Sequence, residues 1–234
     1  MKTIKSVTVG DSHGRRFWEK LNPDNFDKIF FVGDYVDSYY LSNLDIKVNL
    51  NNIISFKKAY PDKVILLLGN HDLPYFNYFM GNVDHGFKVE AWADLHSIFR
   101  ENRELFTIAY QIGNHIWTHA GVVENWYNRY VPDMIKRYDI QGNLAEVLNI
   151  LFESNYKGLY TISSMRGGFD PEGGPFWAHY SEMVESPLKG YHHIFGHTFN
   201  EEIETINIDE NTSVTRIDPG DSGKGKFYEK EIKV

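Results

Sequence analysis

The stretch Val64-Ile65-Leu66-Leu67-Leu68-Gly69-Asn70-His71-Asp72 runs five aliphatic residues straight into a glycine and three polar side chains. An apolar run of this length stopped by glycine reads as a strand, so the polar residues fall at its carboxyl end. The pattern occurs twice before: Ile4–Val9 leads into Gly10-Asp11-Ser12-His13-Gly14, and Lys28–Val32 into Gly33-Asp34-Tyr35-Val36-Asp37. Two later runs behave alike, His115–Thr118 before His119-Ala120-Gly121 and Tyr191–Phe195 before Gly196-His197-Thr198. In open α/β sheets ligands bind at the carboxyl ends of strands, and glycines there permit the tight turns that let side chains converge.

Between these runs, apolar residues recur at helical spacing: Ile46, Leu50, Ile53 and Ile54; Ala91, Leu95, Ile98 and Phe99; Leu144, Val147, Leu148, Leu151 and Phe152. Glu204–Ile208 and Thr212–Ile217 alternate like a hairpin or meander. Strand and helix alternate through the first half, the mark of an α/β fold. No repeat, charge block or low-complexity linker interrupts the chain, so residues 1–234 read as a single domain. Within it, Tyr75, Phe76, Tyr78, Phe79 and Phe87 open an aromatic-rich helical insert around 73–107, which either roofs a cleft or packs onto the domain.

Composition narrows the function. Hydrophobic residues at 42% and aromatics at 15% supply a core and exclude a disordered or collagen-like chain. A net charge of −8 repels phosphate backbones and argues against non-specific nucleic-acid binding. Cysteine is absent, which excludes disulfides, thiol nucleophiles and cysteine-based zinc sites. The longest aliphatic run, Val64–Leu68, is far short of the roughly 20 apolar residues of a membrane helix, and residues 1–5 open no signal peptide. A soluble cytoplasmic protein with no membrane partner is expected. Carboxylates, imidazoles and an amide without thiolate suit manganese, iron or zinc, and the donors are too many for one ion.

These five blocks, in this order, resemble the calcineurin-like metallophosphoesterases, within them the phosphoprotein-phosphatase and diadenosine-tetraphosphatase branch. A tetrapeptide such as Gly69-Asn70-His71-Asp72 arises by chance only about once in 10⁵ positions, so five ordered matches carry weight. The resemblance implies a four-layer α-β-β-α sandwich with a dinuclear metal site at the strand carboxyl ends. It implies two divalent ions: Asp11 and His13 on the first, Asp34 bridging, and Asn70, His119 and His197 on the second. His71 then faces the leaving group as proton donor and Asp37 orients it. The implied reaction is hydrolysis of phosphomonoesters, from a phosphoprotein or small-molecule substrate, by a metal-bridging hydroxide. A hydrolase of nucleoside polyphosphates or RNA-end phosphates is the alternative, and a non-catalytic scaffold ranks last.

Two departures qualify the likeness. The branch places Arg-Gly after the second block, whereas Ser38-Tyr39 stands here, and Phe199 occupies the position where other members carry a final histidine. Arg166, in Met165-Arg166-Gly167-Gly168, is the candidate substitute for the missing phosphate-binding arginine. Elsewhere the bland reading holds. His115 and His193 are expected as core or surface residues. Asp84, His85, Asp94 and His96 are expected as solvated, Asp218 as part of a turn, and Arg15 and Arg16 as the start of a surface helix.

Overall fold

A computed structural model describes residues 2–77, 86–218 and 226–234. Its strands are β1 (Thr3–Val9), β2 (Lys28–Phe31), β3 (Val64–Leu67), β4 (Phe106–Thr107), β5 (Ala109–Ile112), β6 (His115–Thr118), β7 (His192–Phe199), β8 (Glu204–Asn207), β9 (Ser213–Asp218) and β10 (Phe227–Lys233). Its helices are α1 (Asn43–Ala59), α2 (Leu73–Phe76), α3 (Trp92–Glu101), α4 (Glu124–Tyr130), α5 (Pro132–Tyr138), α6 (Leu144–Glu153) and α7 (Tyr180–Glu185). The chain divides into two compact units, Met1–Thr107 with Pro219–Val234, and Ile108–Asp218. Each is built on one five-stranded sheet, the mixed α/β architecture expected from the sequence.

In the first unit the strand order is β10-β1-β2-β3-β4, parallel except where β10 runs antiparallel to β1. The register sets Val7 beside Ile29 and Ile29 beside Val64. β3 is buried along its whole length, as central parallel strands are. α1 begins with a capping box in which Ser42 and Asp45 satisfy each other's backbone amides. Its buried face is Ile46, Leu50, Ile53 and Ile54, the residues picked out by periodicity.

In the second unit the order is β5-β6-β7-β9-β8, with β6, β7 and β9 parallel and both edge strands antiparallel. β8 and β9 form the expected antiparallel pair, Glu204 opposite Arg216. α6 packs on β5, and Leu144, Ala145, Val147, Leu148, Leu151 and Phe152 are its buried residues.

Several elements carry no sequence signal. β4 has two residues, and α4, α5 and α7 have seven, seven and six, too short for a helical period to register. β10 is mostly exposed and charged, an edge strand without an alternating face. The insert around 73–107 holds α2 and α3 and ends in β4, which joins the sheet. Phe76 is buried there against Phe99 and Phe106. Tyr78, Phe79, Asp84 and His85 lie outside the described residues, and Asp218, expected in a turn, is instead the last residue of β9, paired with Phe199. Arg15 and Arg16 do not start a helix of any length, because only a single 3-10 turn, Phe17–Lys20, follows. Arg15 instead donates to the carbonyl of Asp11 at 2.8 Å. Among the described residues no helix is long and apolar enough to cross a membrane.

Gly33 fixes how closely the loops after β2 and β3 approach. Its φ is +103°, and a Cβ there would lie 2.3 Å from the amide nitrogen of Gly69. Backbone strain and overlap together should make Gly33→Ala lose about 3 kcal/mol or more of unfolding free energy. Urea denaturation measures this, and a variant within about 0.5 kcal/mol of wild type, the range of a neutral surface change, would show that the loops separate freely.

Candidate active site

In the first unit the strands β1, β2 and β3 deliver Asp11, Asp34 and Asn70 just past their carboxyl ends, all buried. Asp34 is the hub. Its carbonyl accepts the amides of Ser12 (3.1 Å) and His13 (2.8 Å), and its Oδ1 accepts the amide of His71 at 2.9 Å. Asp72, with no exposed surface, accepts three backbone amides: Asp34 and Gly69 on Oδ2 at 2.8 Å and Tyr35 on Oδ1 at 2.9 Å. Burial, followed by the neighbouring charge of Asp34, pushes the Asp72 carboxyl well above its ordinary range.

Asp11, His13 and Asp34 each offer one ligand atom, and these atoms lie within 4.8 Å of one another. His13 Nδ1 faces the carbonyl of Val36 at 2.8 Å, which makes it the donor and leaves Nε2 turned to Asp34 Oδ2 at 3.8 Å. Burial lowers the His13 pKa to about 4 against the pull of Asp34, so the ring is neutral. A neutral imidazole with its far nitrogen anchored to a carbonyl, between two carboxylates, fits a divalent metal ion.

Beside this group stands His71, its ring edge-on to that of His13 with centroids 5.2 Å apart. His71 Nδ1 meets Asp37 Oδ2 at 3.2 Å, and the hydroxyl of Tyr75 donates to Asp37 Oδ1 at 2.5 Å. Burial disfavours charge on His71, yet Asp34 and Asp37 outweigh it and raise its pKa to about 9. Burial raises Asp37, while its bonds from His71 and Tyr75 work the other way. Burial and Asp37 also push the Tyr75 phenol up, so it remains a hydrogen-bond donor.

In the second unit, His119 follows β6 and is fully buried, and His197 lies within β7. His119 Nε2 and His197 Nδ1 face each other at 3.1 Å, a spacing compatible with imidazole nitrogens each about 2.0–2.1 Å from a common ion. Trp177 stands edge-on to His197 with centroids 5.9 Å apart. Arg166 closes a 3-10 turn before Gly167 and donates to Thr198 Oγ1 and, at 3.5 Å, to the carbonyl of His197. It braces the segment that carries His197.

The family model for calcineurin-like phosphoesterases matches residues 8–208. The chain belongs to that family. The family is metal-dependent, and in this chain Asp11, His13 and Asp34 form a group able to hold an ion. Human serine/threonine-protein phosphatase 5 is 30% identical over 131 residues, covering 52% of this chain and 25% of the human protein. The chain therefore spans about a quarter of the length of that relative. Among solved structures, the cold-active protein-tyrosine phosphatase of a psychrophilic Shewanella superposes with a TM-score of 0.60 at 16% identity, covering 96% of this chain and 74% of that one. A protein serine/threonine phosphatase from Saccharomyces cerevisiae gives 0.52, also at 16% identity, over 95% and 70%. These likenesses show a shared fold.

The residues singled out in the sequence gather as two sets, Asp11, His13, Asp34, Asp37, Asn70 and His71 in one unit, His119 and His197 in the other, although His197 lies inside β7, which continues past the stop expected at Gly196 to Phe199. His193 falls out as expected, whereas His96, expected as solvated, is half-buried. His193 is buried, bonded to the Leu188 carbonyl at 2.9 Å, and lowered to about 4 by burial. His96 stacks on Trp92 and meets the Tyr75 carbonyl at 2.7 Å, while Asp94 pairs with Lys47 at 2.7 Å. Two residues carry more than their sequence suggested: Asp72, spent on backbone amides, and Tyr75, spent on Asp37. Asp72→Asn should cost about 1–3 kcal/mol, because one oxygen becomes an amide donor facing backbone N–H groups that lose their acceptor. A urea midpoint unchanged from wild type would show that other contacts hold the two loops.

Proposed function

We propose that the chain hydrolyses phosphomonoesters, of protein or small-molecule origin, with residues 1–234 acting as one catalytic domain. In this reading Asp11 and His13 hold one divalent ion, Asn70, His119 and His197 a second, and Asp34 is shared by both. Manganese, iron and zinc suit these donors. Such ions, once bound, lower the pKa of water and neutralise charge on the phosphoryl oxygens.

The observation that carries the reading is His71. It stands edge-on against the ring of His13, beside the metal-binding group, and Asp37 stabilises its protonated form. Its Nδ1 is occupied by Asp37, which leaves Nε2 to protonate the departing oxygen. Arg166 serves as the substrate-binding cation in place of the arginine absent at Ser38. A guanidinium offers a planar fork of donors, so the bonds to Thr198 and the His197 carbonyl fix its plane while other N–H groups meet substrate oxygens.

Activity of the manganese-loaded protein is measured on a panel of p-nitrophenyl phosphate, an alkyl phosphate, a phosphopeptide and diadenosine tetraphosphate. Phosphomonoesters should turn over fastest, and elemental analysis should approach two ions per chain. A stoichiometry saturating at one removes the shared role of Asp34, and preference for the dinucleotide moves the assignment to polyphosphates. His71→Ala should keep its metal and lose about 10²–10⁴ in turnover of the alkyl phosphate. The loss should shrink on p-nitrophenyl phosphate, whose leaving group departs without a proton. Equal losses would remove His71 as proton donor.

A further inference from the structure

We propose that Tyr75 is a positioning residue for the reaction, holding Asp37 so that Asp37 aims His71, and that the segment Gly86–Lys88 holds Tyr75 in turn. The inference rests on the reading of His71 as proton donor. Tyr75 follows His71 by four residues, and the two engage opposite oxygens of Asp37, Tyr75 on Oδ1 and His71 on Oδ2. A carboxylate bonded through one oxygen can turn about its side-chain torsions. One gripped through both is fixed, and the proton it accepts from His71 stays on Nδ1.

Tyr75 is itself over-determined. It has no exposed surface, its ring packs against Phe87 with centroids 5.1 Å apart, and its oxygen accepts the amide of Lys88 at 3.0 Å. The Lys88 ammonium donates to the Leu41 carbonyl at 3.2 Å, fastening the same segment to the loop that carries Asp37. Gly86 sits over Asp37: at φ +88°, a Cβ there would lie 3.5 Å from the Asp37 Cβ. Asp37 also adopts a left-handed backbone, φ 62°, which its surroundings must hold. A phenol needing only a partner could take a backbone carbonyl. This one donates to a buried carboxylate, a charge-assisted bond that orients as well as satisfies.

Steady-state kinetics of manganese-loaded wild type, Tyr75→Phe, His71→Gln and the double variant, on an alkyl phosphate and on p-nitrophenyl phosphate, test the proposal. Phenylalanine keeps the ring and its packing. Tyr75→Phe should lower kcat on the alkyl phosphate by about 10- to 100-fold with little change in KM, and lower it markedly less on p-nitrophenyl phosphate. The double variant should be no slower than His71→Gln alone, since Tyr75 acts only through His71. Independently of turnover, proton NMR of the metal-free wild type should show a His71 Nδ1–H resonance protected from solvent exchange, absent in His71→Gln and broadened in Tyr75→Phe. Equal losses on both substrates, additive losses in the double variant, or an unprotected ring proton in wild type would each overturn the proposal. If His71→Gln itself fails to distinguish the substrates, the proton-donor reading fails, and the positioning role with it. A discriminating His71→Gln beside an indifferent Tyr75→Phe rejects Tyr75 alone.

Discussion

Three backbone amides converging on the Asp72 carboxylate tie together the loops that leave β2 and β3, and most of the first unit's candidate site is arranged around that junction. The loops meet at Gly33 and Gly69, where backbone comes so close that no side chain fits between. Amides packed at that distance cannot be hydrated, so an internal acceptor has to supply what water would. With the junction closed, the Asp34 carbonyl takes the amides of Ser12 and His13, and its carboxylate takes the amide of His71. Three strand ends are thus locked to one another through main-chain atoms. Their side chains are free to face whatever binds there.

That closeness is accommodated by the functional residues themselves. Among the described residues, six that are not glycine have positive φ, and four of them are His13, Asp34, Asp37 and His197. The sequence suggests that neighbouring glycines absorb the left-handed turns, and Gly14, Gly33 and Gly121 do adopt them. The candidate site residues share the burden, each at an energetic cost of about 1–3 kcal/mol. Strain of this kind persists where the surrounding bonds over-determine it, as the hydrogen bonds around Asp34 do.

The sequence was most informative where a physical period or a stop signal coincided with function. β1, β2, β3 and β6 read within a residue of their ends because apolar runs of four to six residues collide with Gly-Asp, Gly-Asn or His-Ala-Gly. α1, α3 and α6 are long enough for a buried stripe to repeat. β10 gave nothing away, since Phe227–Lys233 is an exposed edge with charged residues where alternation would otherwise show. Asp72 and Tyr75 hid for a different reason. Apart from the Gly69 amide on Asp72, both act through hydrogen bonds to partners 37 or 38 positions distant, Tyr35, Asp34 and Asp37, and no local pattern encodes such pairings. Arg166 was visible as a cation among glycines, but its bonds to Thr198 and the His197 carbonyl depend on the path of the chain through β7.

A short segment therefore concentrates several tasks. Within Gly69–Phe76 the chain leaves a buried strand, turns at a glycine whose Cβ would strike Asp34, and offers Asn70 to the site. It next presents His71, spends Asp72 on the junction, and enters α2 with Pro74 in its first turn. Pro74 carries no amide hydrogen, and the first turn of a helix is where that lack costs least. The turn then brings Tyr75 round so that it and His71, four residues earlier in the loop before α2, both reach Asp37. Moving either residue by one position would point it away from that carboxylate. The spacing of His71 and Tyr75 is therefore as much a part of the site's chemistry as the ligand-bearing motif that precedes it.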